Sequence, residues 1–160
     1  MCFTDLFDAD ILVPLVVKHE ILGPDVPPYE ERLLTSFLCN CKVVELSSPD
    51  IFAKAMSFAD NCVLTLARKE NADIVLSDDR LLRRIAVIEG IHVIGTIGIL
   101  LQATKKSIMS AENAVDLLNR LVEEHNFRIS TRVYEAARKA ILAMNSSPLH
   151  IKSHSGYVHS

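Results

Sequence analysis

Asp73-Ile74-Val75-Leu76-Ser77-Asp78-Asp79-Arg80 is the stretch whose reading decides the fold. Its apolar run shows no alternation, so both faces of the strand are expected to be covered, as in the interior of a parallel sheet. It empties into two adjacent carboxylates, and a helix from about Arg80 to Glu89, stopped by Gly90, follows. In an open parallel sheet ligands gather beyond the carboxyl ends of strands, which makes Ser77-Asp78-Asp79-Arg80 the first place to look for chemistry.

The same alternation of apolar runs and 3.6-residue periodicity continues on both sides, the pattern of a parallel sheet flanked by helices. Upstream, Asp10-Ile11-Leu12-Val13-Pro14 reads as a short buried strand ended by proline, with a helix from about Leu15 to Leu22 after it. A second helix spans about Tyr29 to Asn40 and leads into a strand over Cys41 to Leu46. From about Ile51 to Asn71 apolar residues recur at three and four, predicting one long helix or two abutting ones. Downstream, His92-Val93-Ile94 is a strand with Gly95-Thr96 after it. The remainder is helical: Ile97 to Lys105, a segment capped by Ser110 and another capped by Ser130. Residues 1–144 read as one domain, and the Ser- and His-rich stretch 145–160, which shows no period, as a flexible tail.

The 160 residues are 49% hydrophobic and 23% charged, which excludes disorder and fibre and gives enough apolar surface for one core without metal or disulfide staples. A formal net charge of -3 offers no global basic field, so a nucleic-acid partner has to be met by a local Arg and Lys cluster or through metal ions. There is no apolar run of about 18 residues and no signal-peptide pattern, so the expected location is the cytoplasm, with no membrane partner. Cys2, Cys39, Cys41 and Cys62 then read as small buried hydrophobes. The lone Cys39-x-Cys41 has no second ligand pair to make a zinc site.

Four acids stand out. Asp78 and Asp79 lie at a helix entrance, where the dipole favours negative charge; the blander reading is that one of them caps the Arg80 helix. Glu20 follows the Pro14 strand by about one and a half turns, near the same crevice, although Lys18-His19-Glu20 also reads as an exposed face. Asp60 interrupts the apolar stripe between Ala59 and Cys62, which calls for a partner such as a metal ion or an arginine, or else for a side chain turned sideways to solvent. Acids converging from three elements suit Mg²⁺, which takes oxygen ligands, keeps several waters and leaves places for substrate phosphate. Hydrolysis of a phosphodiester is the natural reaction there. Arg80, Arg83 and Arg84, at i, i+3 and i+4, are placed to carry backbone phosphate, or else form an exposed basic face.

Leu12-Val13-Pro14 with Val17 and Glu20, then Ala59-Asp60-Asn61-Cys62-Val63-Leu64-Thr65-Leu66-Ala67, then Ala72 to Arg80, resembles the PIN domain, the nuclease fold of many toxins of toxin–antitoxin pairs. Val93 to Leu101, followed by Phe127-Arg128-Ile129-Ser130 and Tyr134, resembles one prokaryotic subgroup of PIN-like proteins. The likeness spans about residues 6 to 143 and implies a three-layer α/β/α fold with a central parallel sheet. It also implies a ribonuclease dependent on Mg²⁺ or Mn²⁺, with Glu20, Asp60 and either Asp79 or Asp78 in three of four acidic places.

The family's first strand, which ends in its first Asp ligand, and the helix after it have no counterpart, because only some ten residues precede the Leu12 strand. Asp5 is too close to Ile11 to stand in. The expectation is an N-terminally truncated PIN-like fold, in which either the chain as given starts late or a segment from the His-rich tail or a second subunit fills the place. The leading functional reading is a metal-dependent endoribonuclease acting on RNA, a toxin held by a small antitoxin protein, with homodimerisation as a further expectation. The alternative is a PIN-like module that binds RNA or protein without cutting. A phosphotransfer or receiver domain built on Asp78 and Asp79 lacks a placed lysine.

Overall fold

A computed structural model describes residues 6–144 of the chain, in two compact units that divide after Gln102. The stretch 145–160, expected as a flexible tail, lies outside the described residues.

In the first unit β1 (Leu12–Pro14) runs parallel to β2 (Lys42–Val44), with Leu12 opposite Lys42 and Pro14 opposite Val44. The crossover carries α1 (Leu15–Ile21) and α2 (Pro28–Leu38). Proline punctuates both helices. Pro14 ends the strand and stands at the N-cap of α1 with φ -58°, and Pro28 opens α2, where its missing N–H costs nothing. A second parallel pair, β3 (Val75–Leu76) and β4 (Val93–Ile94), is joined through α4 (Arg80–Ile88). Between the pairs in sequence lies α3 (Phe58–Lys69), which packs against both β1 and β3.

Mixed α/β architecture with parallel pairing matches the expectation, with two corrections. The described strands form two separate two-stranded sheets rather than one continuous sheet. The apolar run around Val75 is also less covered than its lack of alternation implies. Val75 is buried while Leu76 is 37% exposed, so only one side of this short strand faces core.

The second correction concerns the helix expected from Ile51. It begins only at Phe58, because the preceding segment is held in turns by side chains of α3 itself. Asn61 Oδ1 accepts from the Phe52 N–H at 2.9 Å, and its Nδ2 donates to the Ser57 carbonyl at 2.9 Å. Thr65 Oγ1 accepts from the Asp50 N–H at 2.9 Å. Arg68 pairs with Asp50 and lies 5.1 Å from the Phe52 ring centroid. These buried polar groups are satisfied by the backbone they organise, which offsets the cost of burying them. Below the segment, Met56, Leu64, Ala67, Val75, Leu82 and Ala86 form a core cluster.

The expectation that the cysteines are buried holds for Cys62 alone among those described. Burial pushes its thiol up from the usual range, so at neutral pH it is a small protonated hydrophobe. Cys39, one residue past α2, is exposed, and Cys41 is half-buried.

α5 (Thr96–Lys105) follows β4 and ends in the second unit, which also holds α6 (Ala111–Glu123) and α7 (Thr131–Met144). Ser110 Oγ accepts from the Asn113 N–H at 3.1 Å and Ser130 Oγ from the Val133 N–H at 3.3 Å, as the sequence predicts for two caps. α6 and α7 pack together, burying Ala114, Leu118, Ala137 and Ile141, and the Tyr134 hydroxyl donates to Asn119 Oδ1 at 2.6 Å. No helix among the described residues is long and apolar enough to cross a membrane.

Thr65 has no exposed surface, and its hydroxyl is the acceptor for the Asp50 N–H. Thr65→Val is expected to lower stability by about 1–2 kcal/mol through that stranded donor. Urea unfolding checks it, and an unchanged midpoint would contradict the role given to this bond.

Candidate active site at the carboxyl ends of β3 and β4

β3 ends at Leu76, and the next three residues turn the chain into α4. Ser77 N–H extends the ladder by donating to the Ile94 carbonyl at 2.9 Å, and Ser77 Oγ accepts from the Asp79 N–H at 3.1 Å. Asp79 is the N-cap of α4, its Oδ1 accepting from the Leu82 N–H at 2.8 Å. That is the blander of the two readings of this acid.

Asp78 reaches the other way. Both its oxygens accept from the Thr96 N–H, at 3.1 and 3.2 Å, and Oδ2 also accepts from the Thr96 hydroxyl. Thr96 is the first residue of α5, so an acid after β3 caps the helix that follows β4. Gly95 makes the approach possible. A Cβ there would run into the Asp78 carboxylate and stand 2.9 Å from Arg83 Nη1. Arg83 is half-buried and donates from Nη1 to the Ser77 carbonyl at 3.0 Å, whereas Arg80 and Arg84 on the same helix are exposed.

The structure thus separates two residues that the sequence left undivided. Asp78 has both oxygens engaged, and Asp79 has one engaged and no hydrogen bond to Oδ2. Asp60 lies in the first turn of α3 rather than in mid-stripe. It is half-buried, and its Oδ2 accepts from the Ser57 hydroxyl at 2.8 Å while Ser57 Oγ accepts from the Asp60 N–H at 3.0 Å. Its partner is therefore the N-cap serine, an arrangement akin to a capping box. Glu20 is exposed near the end of α1, beside exposed His19.

Glu20, Asp60, Asp78 and Asp79 are oxygen donors of the kind a hard divalent cation takes. Yet among the described residues no group of three or more His, Cys, Asp or Glu side chains is placed to hold a metal ion. The described residues do not amount to a metal-holding set.

Ser77, Gly95 and Thr96 are the residues that sequence reasoning passed over. Gly95-Thr96 directly after a strand was the available signal, since a glycine at a strand end marks a close approach. Ser57, three residues ahead of Asp60, was a readable N-cap signature.

A family model described as a PIN domain matches residues 2–142. The chain belongs to the PIN-domain family. The fold is accordingly of nuclease type, in a family that is in general dependent on divalent metals. No curated protein and no solved structure matches the chain.

For this PIN domain the cap role of Asp79 separates from any ligand role by choice of substitution. Asp79→Asn keeps a capping oxygen and is expected to leave thermal stability within a few tenths of a kcal/mol, while Asp79→Ala costs about 1 kcal/mol. Equal losses in the two variants would contradict the cap.

Proposed function

We propose that this PIN domain binds single-stranded RNA at the carboxyl ends of β3 and β4, and that residues 6–144 do not cleave it on their own. The reading is supported above all by how the acids are employed. Asp78 caps α5, Asp79 caps α4 and Asp60 joins the cap of α3, with no three acids placed around one point. Arg80 and Arg84, exposed on the helix that starts at this crevice, supply positive charge for backbone phosphate in a chain whose net charge is -3.

A second reading, a metal-dependent endoribonuclease of the toxin kind using Mg²⁺ or Mn²⁺ and restrained by a small antitoxin protein, is favoured by two observations. The chain belongs to a nuclease-type family, and Asp79 Oδ2 is left without a hydrogen bond beside the arginines. In that reading Glu20, Asp60 and Asp79 would be the acids at the metal.

Incubating the chain with labelled single-stranded RNA in Mg²⁺, in Mn²⁺ and in EDTA separates the two. Binding without cleavage is the expected result. Cleavage that EDTA and Asp60→Asn both abolish would overturn the first reading and establish the second. Absence of RNA binding in every buffer would sink both.

A further inference from the structure

The crevice at the ends of β3 and β4 already holds a cation, and it is covalent. Arg83 is drawn in from the row Arg80, Arg83, Arg84, half-buried where its neighbours are exposed. Its Nη1 is fixed on the Ser77 carbonyl at 3.0 Å, and both Nη1 and the Asp78 carboxylate stand over Gly95. A guanidinium is charged at every accessible pH and cannot be neutralised to make way for another cation.

We infer that Arg83 takes the place of a divalent ion in this chain, so that the crevice receives RNA phosphate directly on its guanidinium and rejects Mg²⁺ and Mn²⁺. The physical reasons are two. A guanidinium beside Asp78 repels a second positive charge at short range and compensates the one carboxylate that both sheet-end turns share. Its remaining N–H donors, in a planar fork, match the oxygens of a phosphate, and each such contact replaces condensed counterions on the RNA. Asp78 in turn is held by Thr96, so it cannot swing out to a metal without uncapping α5.

This inference rests on the proposed RNA-binding reading but fails separately from it. The probes are Mn²⁺ alone, followed by electron paramagnetic resonance, and a short labelled single-stranded RNA, followed by fluorescence anisotropy. The native chain is expected to leave Mn²⁺ free at millimolar concentration and to bind RNA equally well in EDTA and in Mg²⁺. Arg83→Met is expected to weaken RNA binding in EDTA by about tenfold and to tighten Mn²⁺ binding by at least about tenfold. Arg83→Lys, which keeps the charge, retains the refusal of Mn²⁺ and serves if the methionine variant does not fold. Micromolar Mn²⁺ binding by the native chain, or RNA binding that requires a divalent ion, overturns the inference while leaving RNA binding intact. Absence of RNA binding in every buffer defeats the RNA reading, and the inference's phosphate half with it, while the Mn²⁺ measurements still decide whether Arg83 excludes a metal.

Discussion

The carboxylate of Asp78 on the N–H and hydroxyl of Thr96 is the contact on which the rest of the crevice depends. β3 and β4 pair over only two residues each, and so short a ladder does little to hold its own ends together. Asp78 supplies what the ladder lacks, joining the turn after one strand to the helix after its neighbour. The closeness of that join needs a glycine, since a side chain at position 95 would displace the acid and crowd Arg83. From this one bond follow the direction in which Asp79 faces, the seat of Arg83 on Ser77 and the start of α5.

Chemically, the arrangement divides labour among residues that a reading of types alone would pool. An acid that donates its lone pairs to a helix terminus has fewer left for a cation, and a cap given up costs the helix about 1 kcal/mol. In this chain the acids beside strands and helices stabilise backbone, and the positive charge that phosphate needs is carried by side chains. Arg83, packed and fixed at 3.0 Å on a carbonyl, loses little further freedom on meeting a ligand. Arg80 and Arg84 remain exposed and suited to salt-sensitive contact along a backbone.

Much of the fold was legible because its local rules agree with its tertiary ones. Proline at 14 and 28, serine at 110 and 130, and glycine at 90 mark boundaries by covalent geometry and capping, and the structure sets elements within a few residues of those marks. The segment Ile51–Ser57 was misread because its apolar spacing fits a helix, while its backbone hydrogen bonds go to Asn61 and Thr65, partners that periodicity does not register. Residues 78 and 79 marked the crevice, but their separate roles were hidden: Asp78 is tied to a residue 18 positions away, a contact that no local pattern encodes. The split of the strands into two pairs was likewise beyond a reading of apolar runs, since run length overstates how many residues pair.

Anomalous diffraction from crystals of this chain soaked in Mn²⁺ addresses the central claim, that charge at the ends of β3 and β4 is balanced by Arg83 rather than by a metal. The result expected is no anomalous peak within coordination distance of Asp78 or Asp79, with the Arg83 guanidinium on the Ser77 carbonyl. A peak bridging Asp79 with Asp60 or Glu20, and Arg83 turned away from Ser77, would contradict it.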